Sequence, residues 1–407
     1  MGQFKALTSL RLLLALWVVC RHWFHMYGVD EPYFDIGFTS TFFDHGYLGV
    51  DGFFILSGFI LTYNYAPASG PPNLDWRKFI VARIARIYPA YIACLLIFAA
   101  AVIVRDMVLH TDALGSPDYT LSSFVVAVFL VSAWRYAGPA GWNDVGWSVS
   151  AEWFAYVMFP LFLLVAPRHS KSRILLLAGF ALAVLALVEA TSAEHLSLSG
   201  GVARLIPEFL LGVLICRLRQ ALPEYHGFAL GAVLSLIVCA VGVGLNLDTL
   251  FVAGAAGLIF SLSYEKDVLT RVLSVGVLVF LGEVSYCIYI VQRIPQYLFT
   301  FARRNLPDLA AMPGPVQALL LLVLTVGAAI LLHYLIEKPM RVWINRRFGP
   351  RRGEVDPIAP GQVPKSVLSM LDAQSHQRGS ARRTQQALLG LPRKSASAEP
   401  RDGATGS

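Results

Sequence analysis

Three observations predict an all-α polytopic membrane protein of about ten transmembrane helices, followed by a disordered basic tail. Of the 407 residues, 56% are hydrophobic and only 14% charged, against about 25% charged in ordinary globular chains. The mean hydropathy is +0.59. Apolar runs recur from within the first ten residues to about position 336. In hydrocarbon a helix satisfies its own backbone hydrogen bonds, so such runs read as spanning helices.

The first run, 7–27, has the length of a signal peptide, yet Arg11 interrupts it and no small-residue cleavage pattern follows. It reads as an uncleaved first helix. A glycine-studded run follows at 47–66, then one at 88–105 behind the basic residues Arg77, Lys78, Arg83 and Arg86. Residues 121–134 give only a short run, where a crossing needs about twenty residues, so a re-entrant or buried segment is expected there. Further runs lie at 147–166, 173–190, 202–217, 228–246, 249–264, 272–292 and 316–336. Lys5, the Arg77–Arg86 segment, the loops around Lys171 and Arg217, and the basic tail all call for the cytoplasmic side. With 121–134 re-entrant, ten crossings satisfy every one of them, with both termini cytoplasmic.

The net charge of +7 says little about nucleic acid. From Arg346 onward there are eleven Lys or Arg against five Asp or Glu, so nearly all the surplus sits in the tail. That tail is rich in Gly, Pro, Ser and Gln and poor in aromatics, the composition of a disordered segment. Domains are expected at 1–345 (membrane) and 346–407 (tail). The five cysteines stand singly in apolar runs without CxxC spacing, as small core residues do, so no zinc or other metal site is expected.

Polar groups inside the apolar runs are the candidates for function. Arg11 and His22 are eleven residues apart, which places them on one helix face about 16 Å apart along the axis. His25, one turn on, is the rival histidine. The stretch GYLGVDGFFILSGFILTYNY (46–65) carries glycines for close helix contact, with Asp51 and Ser57 as its polar members. In RIARIYP (83–89), Arg83 and Arg86 share a face, and the guanidinium fork matches phosphate oxygens. In GWSVSAEWFAYVMFP (146–160), Glu152 lies a few residues past Trp147 and Ser148, level with His22 on the outer side. A Glu152–His22 pair would fix one imidazole tautomer and make the ring a general base.

Together these stretches resemble the acyltransferase-3 family of integral membrane O-acyltransferases over about residues 5–342. The R-x10-H of Arg11 and His22, GVDGFFILSGF, RIARIYP and WSVSAE carry the likeness, with SYCIYIVQ (285–292) and EKP (337–339) in agreement. The resemblance implies transfer of an acyl group, usually acetyl, from acyl-coenzyme A to a hydroxyl of an envelope or exported glycan, with no permanently bound cofactor. It implies that Arg11 and His22 are essential and that Glu152 is a catalytic or structural acid. Arg83, Arg86 and Tyr88 are then donor-binding. Asp51, Ser57, Trp147, Ser148 and Gln292 are expected on the substrate side. Where the family commonly has histidine, this chain has Gln292, which hydrogen-bonds but does not shuttle protons near neutral pH. Direct transfer and an acyl-histidine or acyl-serine intermediate (Ser57, Ser148) both remain open. A transporter or flippase with charges along its path is the alternative from another class, and a silent assembly partner is a third.

Overall fold

The computed structural model describes residues 4–25, 38–110, 114, 116–134, 141–192, 201–222 and 227–349. The tail beyond 349 lies outside them. The chain divides into units 1–354 and 355–407, and the description below concerns the first. All its regular structure among the described residues is helical.

In chain order the helices are α1 (Lys5–Trp23), α2 (Phe38–Asp44), α3 (Leu48–Tyr65), α4 (Trp76–Leu109), α5 (Leu121–Val128), α6 (Gly146–Val165) and α7 (Lys171–Thr191). They continue as α8 (Gly201–Ala221), α9 (Phe228–Gly244), α10 (Asp248–Leu262), α11 (Val268–Leu273), α12 (Gly276–Val291) and α13 (Arg293–Asn305). After α14 (Pro307–Ala310) come α15 (Gly314–Leu332), a π-helical turn (His333–Glu337) and α16 (Lys338–Phe348).

Six helices are long and apolar enough to cross a membrane, or seven if α12 and α13, bent by 56° at Gln292, form one span. The expected ten are not reached on these criteria. Two apolar helices, α9 and α10, are short, with 17 and 15 residues. The 21-residue α8 is long enough but carries Arg204, Glu208, Arg217 and Arg219. Residues 121–134 form the eight-residue α5 and a single 3-10 turn, too short to cross.

The RIARIYP segment lies within the 34-residue α4. Asp75 starts this helix by accepting the Lys78 backbone N–H at 3.2 Å. Pro89 is accommodated in its interior.

Two helix crossings position the site. In α3 and α8, a Cβ on Gly58 would meet the Phe209 carbonyl oxygen at 2.2 Å, and one on Gly212 the Ile55 oxygen at 2.1 Å. The backbones therefore touch directly, as small residues allow in membranes. In α1 and α12, a Cβ on Gly282 would lie 2.1 Å from the Thr8 oxygen. This contact brings the face of α1 that bears Arg11 and His22 against α12.

Candidate active site

Helices α1, α3, α4, α6 and α12 line a partly open chamber. Six of the expected site residues line it: Arg11, Ser57, Arg83, Arg86, Ser148 and Glu152. Tyr156, Tyr286 and Tyr289 complete its polar wall, and Phe53, Phe54 and Leu56 are among its apolar members. Apolar walls with a few convergent polar groups are the usual form of a small-molecule site.

Each polar group is held from within the wall. The Glu152 Oε1 accepts the Ser57 hydroxyl at 2.7 Å and the Tyr156 phenol, one turn along α6, at 2.5 Å. Ser148 and Tyr289 share a hydroxyl–hydroxyl bond of 2.6 Å. Arg83 lies over the rings of Phe79 and Tyr156 at 5.7 and 5.8 Å. Arg86 is ion-paired with Glu337. Arg11 and Arg83 form no ion pair among the described residues. Both are half-buried, which leaves their guanidinium groups able to receive an acceptor.

His22 is bound differently from the expectation. Its Nδ1 faces the Val18 carbonyl at 3.0 Å and the Gln292 Oε1 at 3.1 Å, whereas Glu152 is engaged by Ser57 and Tyr156. The expected Glu152–His22 pair is therefore not formed. The sequence placed both residues toward the outer side of the molecule but could not give their rotation about two separate helix axes. The Gln292 amide is oriented by donating its Nε2–H to the Tyr289 carbonyl at 2.9 Å. Both neighbours of Nδ1 are oxygens that only accept, so Nδ1 carries the proton and Nε2 the lone pair. That assignment follows from the hydrogen-bond pattern, and it leaves a base-competent nitrogen.

Near His22, Arg293 makes two bonds to Asp144, one from Nε at 2.6 Å. Burial opposes ionisation of Asp144, yet these bonds prevail and hold its carboxyl below the ordinary range. His25 pairs instead with the exposed Asp44 at 2.9 Å.

Five expected site residues stand outside the chamber wall: His22, described above, and four more. Asp51 is buried and receives the Arg204 Nη2 at 2.6 Å. It serves an intramembrane ion pair, with no surface left for a substrate. Trp147 packs edge-on to Phe54 and lies beneath Arg204 at 5.4 Å from the ring centre. Tyr88 projects from the far side of α4, and its hydroxyl donates to the Val128 carbonyl of α5 at 3.1 Å. Gln292 is buried against His22 rather than open to an acceptor.

Sequence reasoning missed Tyr156, Tyr286, Tyr289 and the Arg204–Glu208 pair. Tyr156 was findable, since it stands four residues from Glu152 on one face. So was the i, i+4 pair of opposite charges in the apolar run of α8. Cys287, His333 and Glu337 bring ligand-type atoms within 4.8 Å of one another. Arg86 and Arg341 bind the same Glu337 carboxylate, however, which suits an ion-pair hub better than a cation.

The family profile described as an acyltransferase domain matches residues 4–334. The acyltransferase MdmB of Streptomyces mycarofaciens is 28% identical over 380 residues, covering 85% of this chain and 93% of that protein. YrhL of Bacillus subtilis (strain 168), provisionally named a peptidoglycan O-acetyltransferase, is 38% identical over 148 residues, 34% of this chain. That segment is only 23% of the Bacillus protein. A provisionally named O-acetyltransferase of Staphylococcus aureus (strain COL) is 22% identical over 285 residues, 60% of this chain and 45% of its own length. No solved structure matches. The matched range takes in Arg11, His22, Arg83, Arg86, Glu152 and Gln292 alike, and the chain thus belongs to the acyltransferase-3 family: a multi-pass membrane enzyme that transfers acyl groups other than aminoacyl groups.

Proposed function

We propose that this enzyme moves an acyl group, acetyl by the habit of its relatives, from acyl-coenzyme A to a hydroxyl of a cell-envelope or exported glycan. It acts in the bacterial plasma (inner) membrane. The observation that carries the reading is the chamber itself, which sets Arg11, Arg83 and Arg86 in a membrane interior beside Ser148 and Tyr289, one helical turn from the Gln292 that holds His22.

The reading takes ten crossings with both termini cytoplasmic. To the seven helices or bent pairs that qualify by length and composition it adds α8, whose Arg204 and Glu208 are neutralised internally, and the short α9 and α10. Donor phosphates then approach Arg83 and Arg86 from the cytoplasm, with Arg11 assisting. The pantetheine arm follows the shared face of α1, about 16 Å from Arg11 to His22. The acceptor enters from the outer side.

In the direct route His22 Nε2 takes the acceptor hydroxyl proton as its oxygen attacks the thioester carbonyl. The C–O bond forms, the C–S bond breaks, and the imidazolium returns the proton to the departing thiolate. Gln292, in place of a carboxylate, keeps the ring in the reactive tautomer. Glu152, held by Ser57 and Tyr156, supplies a negative charge that offsets Arg11.

The test is release of free coenzyme A from acetyl-coenzyme A by the purified chain, with donor binding measured alongside. His22→Ala is expected to keep donor binding and to lose about 10²–10⁴-fold in turnover. Undiminished turnover in His22→Ala would sink the base assignment. Movement of a glycan without donor consumption would favour the transporter.

A further inference from the structure

The EKP motif leads to a second cavity. Glu337 closes the π-helical turn and is fully buried. Its carboxylate receives Arg86, Arg341 Nη1 at 3.3 Å, His333 Nδ1 at 2.7 Å and the Cys287 thiol at 3.2 Å. This hub fixes α16 against α4. Arg341 and Asn345 follow Glu337 at helical spacings of four, so all three lie along one face.

Between α4 and α16 is an open-sided cavity walled by Arg83, Arg86, Glu283, His333, Arg341 and Asn345. It shares Arg83 and Arg86 with the chamber. Three guanidinium groups face it, against Glu283 and the already shared Glu337. The buried Arg83 Nε and Arg86 Nη2 have no hydrogen-bond acceptor, and orphan buried donors of this kind call for one. Arg341 and Asn345 lie beyond the residues matched by the family profile, which ends at 334.

We propose that this cavity is a phosphate site completed by Arg341 and Asn345, taking the phosphomonoester at the nucleotide end of the acyl donor. The proposal rests on the acyl-coenzyme A reading above and extends it. Coenzyme A carries a pyrophosphate and a 3′-phosphate, more negative charge than Arg83 and a Glu337-paired Arg86 can balance. The two cavities meet at Arg83 and Arg86, so the pyrophosphate sits at that junction and the 3′-phosphate beneath it. A third guanidinium and an amide N–H donor from α16 supply the remaining contacts in the geometry phosphate oxygens favour.

The test measures equilibrium binding of coenzyme A and 3′-dephospho-coenzyme A to the full chain in detergent and in nanodiscs. The unchanged chain binds coenzyme A more tightly than the dephospho form. Arg341→Ala weakens coenzyme A about ten- to a hundredfold, the worth of one charge-assisted contact, and leaves the dephospho form within about twofold. Asn345→Ala, which leaves the Glu337 hub intact, shows the same selectivity at smaller size. Glu283→Gln tightens coenzyme A. Equal affinity of Arg341→Ala and Asn345→Ala for both ligands relative to the unchanged chain overturns the proposal, as does parallel weakening of both ligands. Loss of coenzyme A discrimination in phosphatidylglycerol nanodiscs but not in phosphatidylcholine ones would assign the cavity to lipid phosphate and likewise overturn it. If the unchanged chain binds neither ligand, the donor reading itself falls.

Discussion

At the scale of single residues, the decisive contact is Gln292 to His22. A carboxylate in its place would stabilise the imidazolium by opposite charge. Gln292→Glu is therefore expected to move the acidic limb of the turnover–pH profile upward, because the added negative charge favours the imidazolium over the neutral base. Gln292→Leu leaves only the Val18 carbonyl on Nδ1, and about a tenfold fall in kcat with little change in donor binding is expected. A profile that does not move in Gln292→Glu would detach Gln292 from the base. The sequence made position 292 noticeable through its departure from histidine, and His22 through its spacing from Arg11. It did not reveal that the two touch, since contacts between residues 270 positions apart are set by helix packing. The same limit explains Asp51. A lone acid in an apolar run reads as a substrate group until the position of its arginine, 153 residues away, is known.

At the scale of elements, the glycines of α3 and α8 set how closely the helices of the chamber approach. Gly212→Val puts side-chain atoms where the Ile55 backbone lies. Overpacking of this kind costs about 1–3 kcal/mol. Thermal unfolding in detergent should show a lowered midpoint, and a midpoint equal to that of the unchanged chain would contradict the direct backbone contact. Helix existence was largely legible, because long apolar runs leave little choice in lipid. Boundaries were less so: α4 begins at Trp76, well before its apolar run, because Asp75 caps it and its basic first turns continue the helix into the region around α16. The Asp75 cap is a local signal for that start, whereas the pairing of Arg86 with Glu337 is a long-range contact that local sequence does not show.

At the scale of the whole molecule, the fold class was readable from composition, whereas the number of crossings was not. The apolar run at 202–217 is interrupted by charges that keep α8 from qualifying by composition, and Arg204 among them is met by Asp51 and Trp147. The proposed orientation places the loop before α7 in the cytoplasm and the C-terminal end of α13 outside. Single cysteines introduced at Lys171 and at Asn305, in a chain with its five native cysteines replaced, should label from the inner and outer faces respectively with an impermeant thiol reagent. Labelling of both from one face would refute ten crossings.

The Asp51–Arg204 pair also bears on how the chain is made. Synthesis proceeds from the N-terminus, so α3 is delivered to the bilayer long before α8 leaves the ribosome. Until then Asp51 has no counter-charge, and an unpaired acid in an apolar helix opposes insertion. Arrival of Arg204 ends that interval, and α8 in turn depends on α3 for its own entry. Insertion of these two helices is consequently a joint event: a chain truncated before residue 201 should hold α3 loosely, and Asp51→Asn should relieve the early segment while stranding the later arginine.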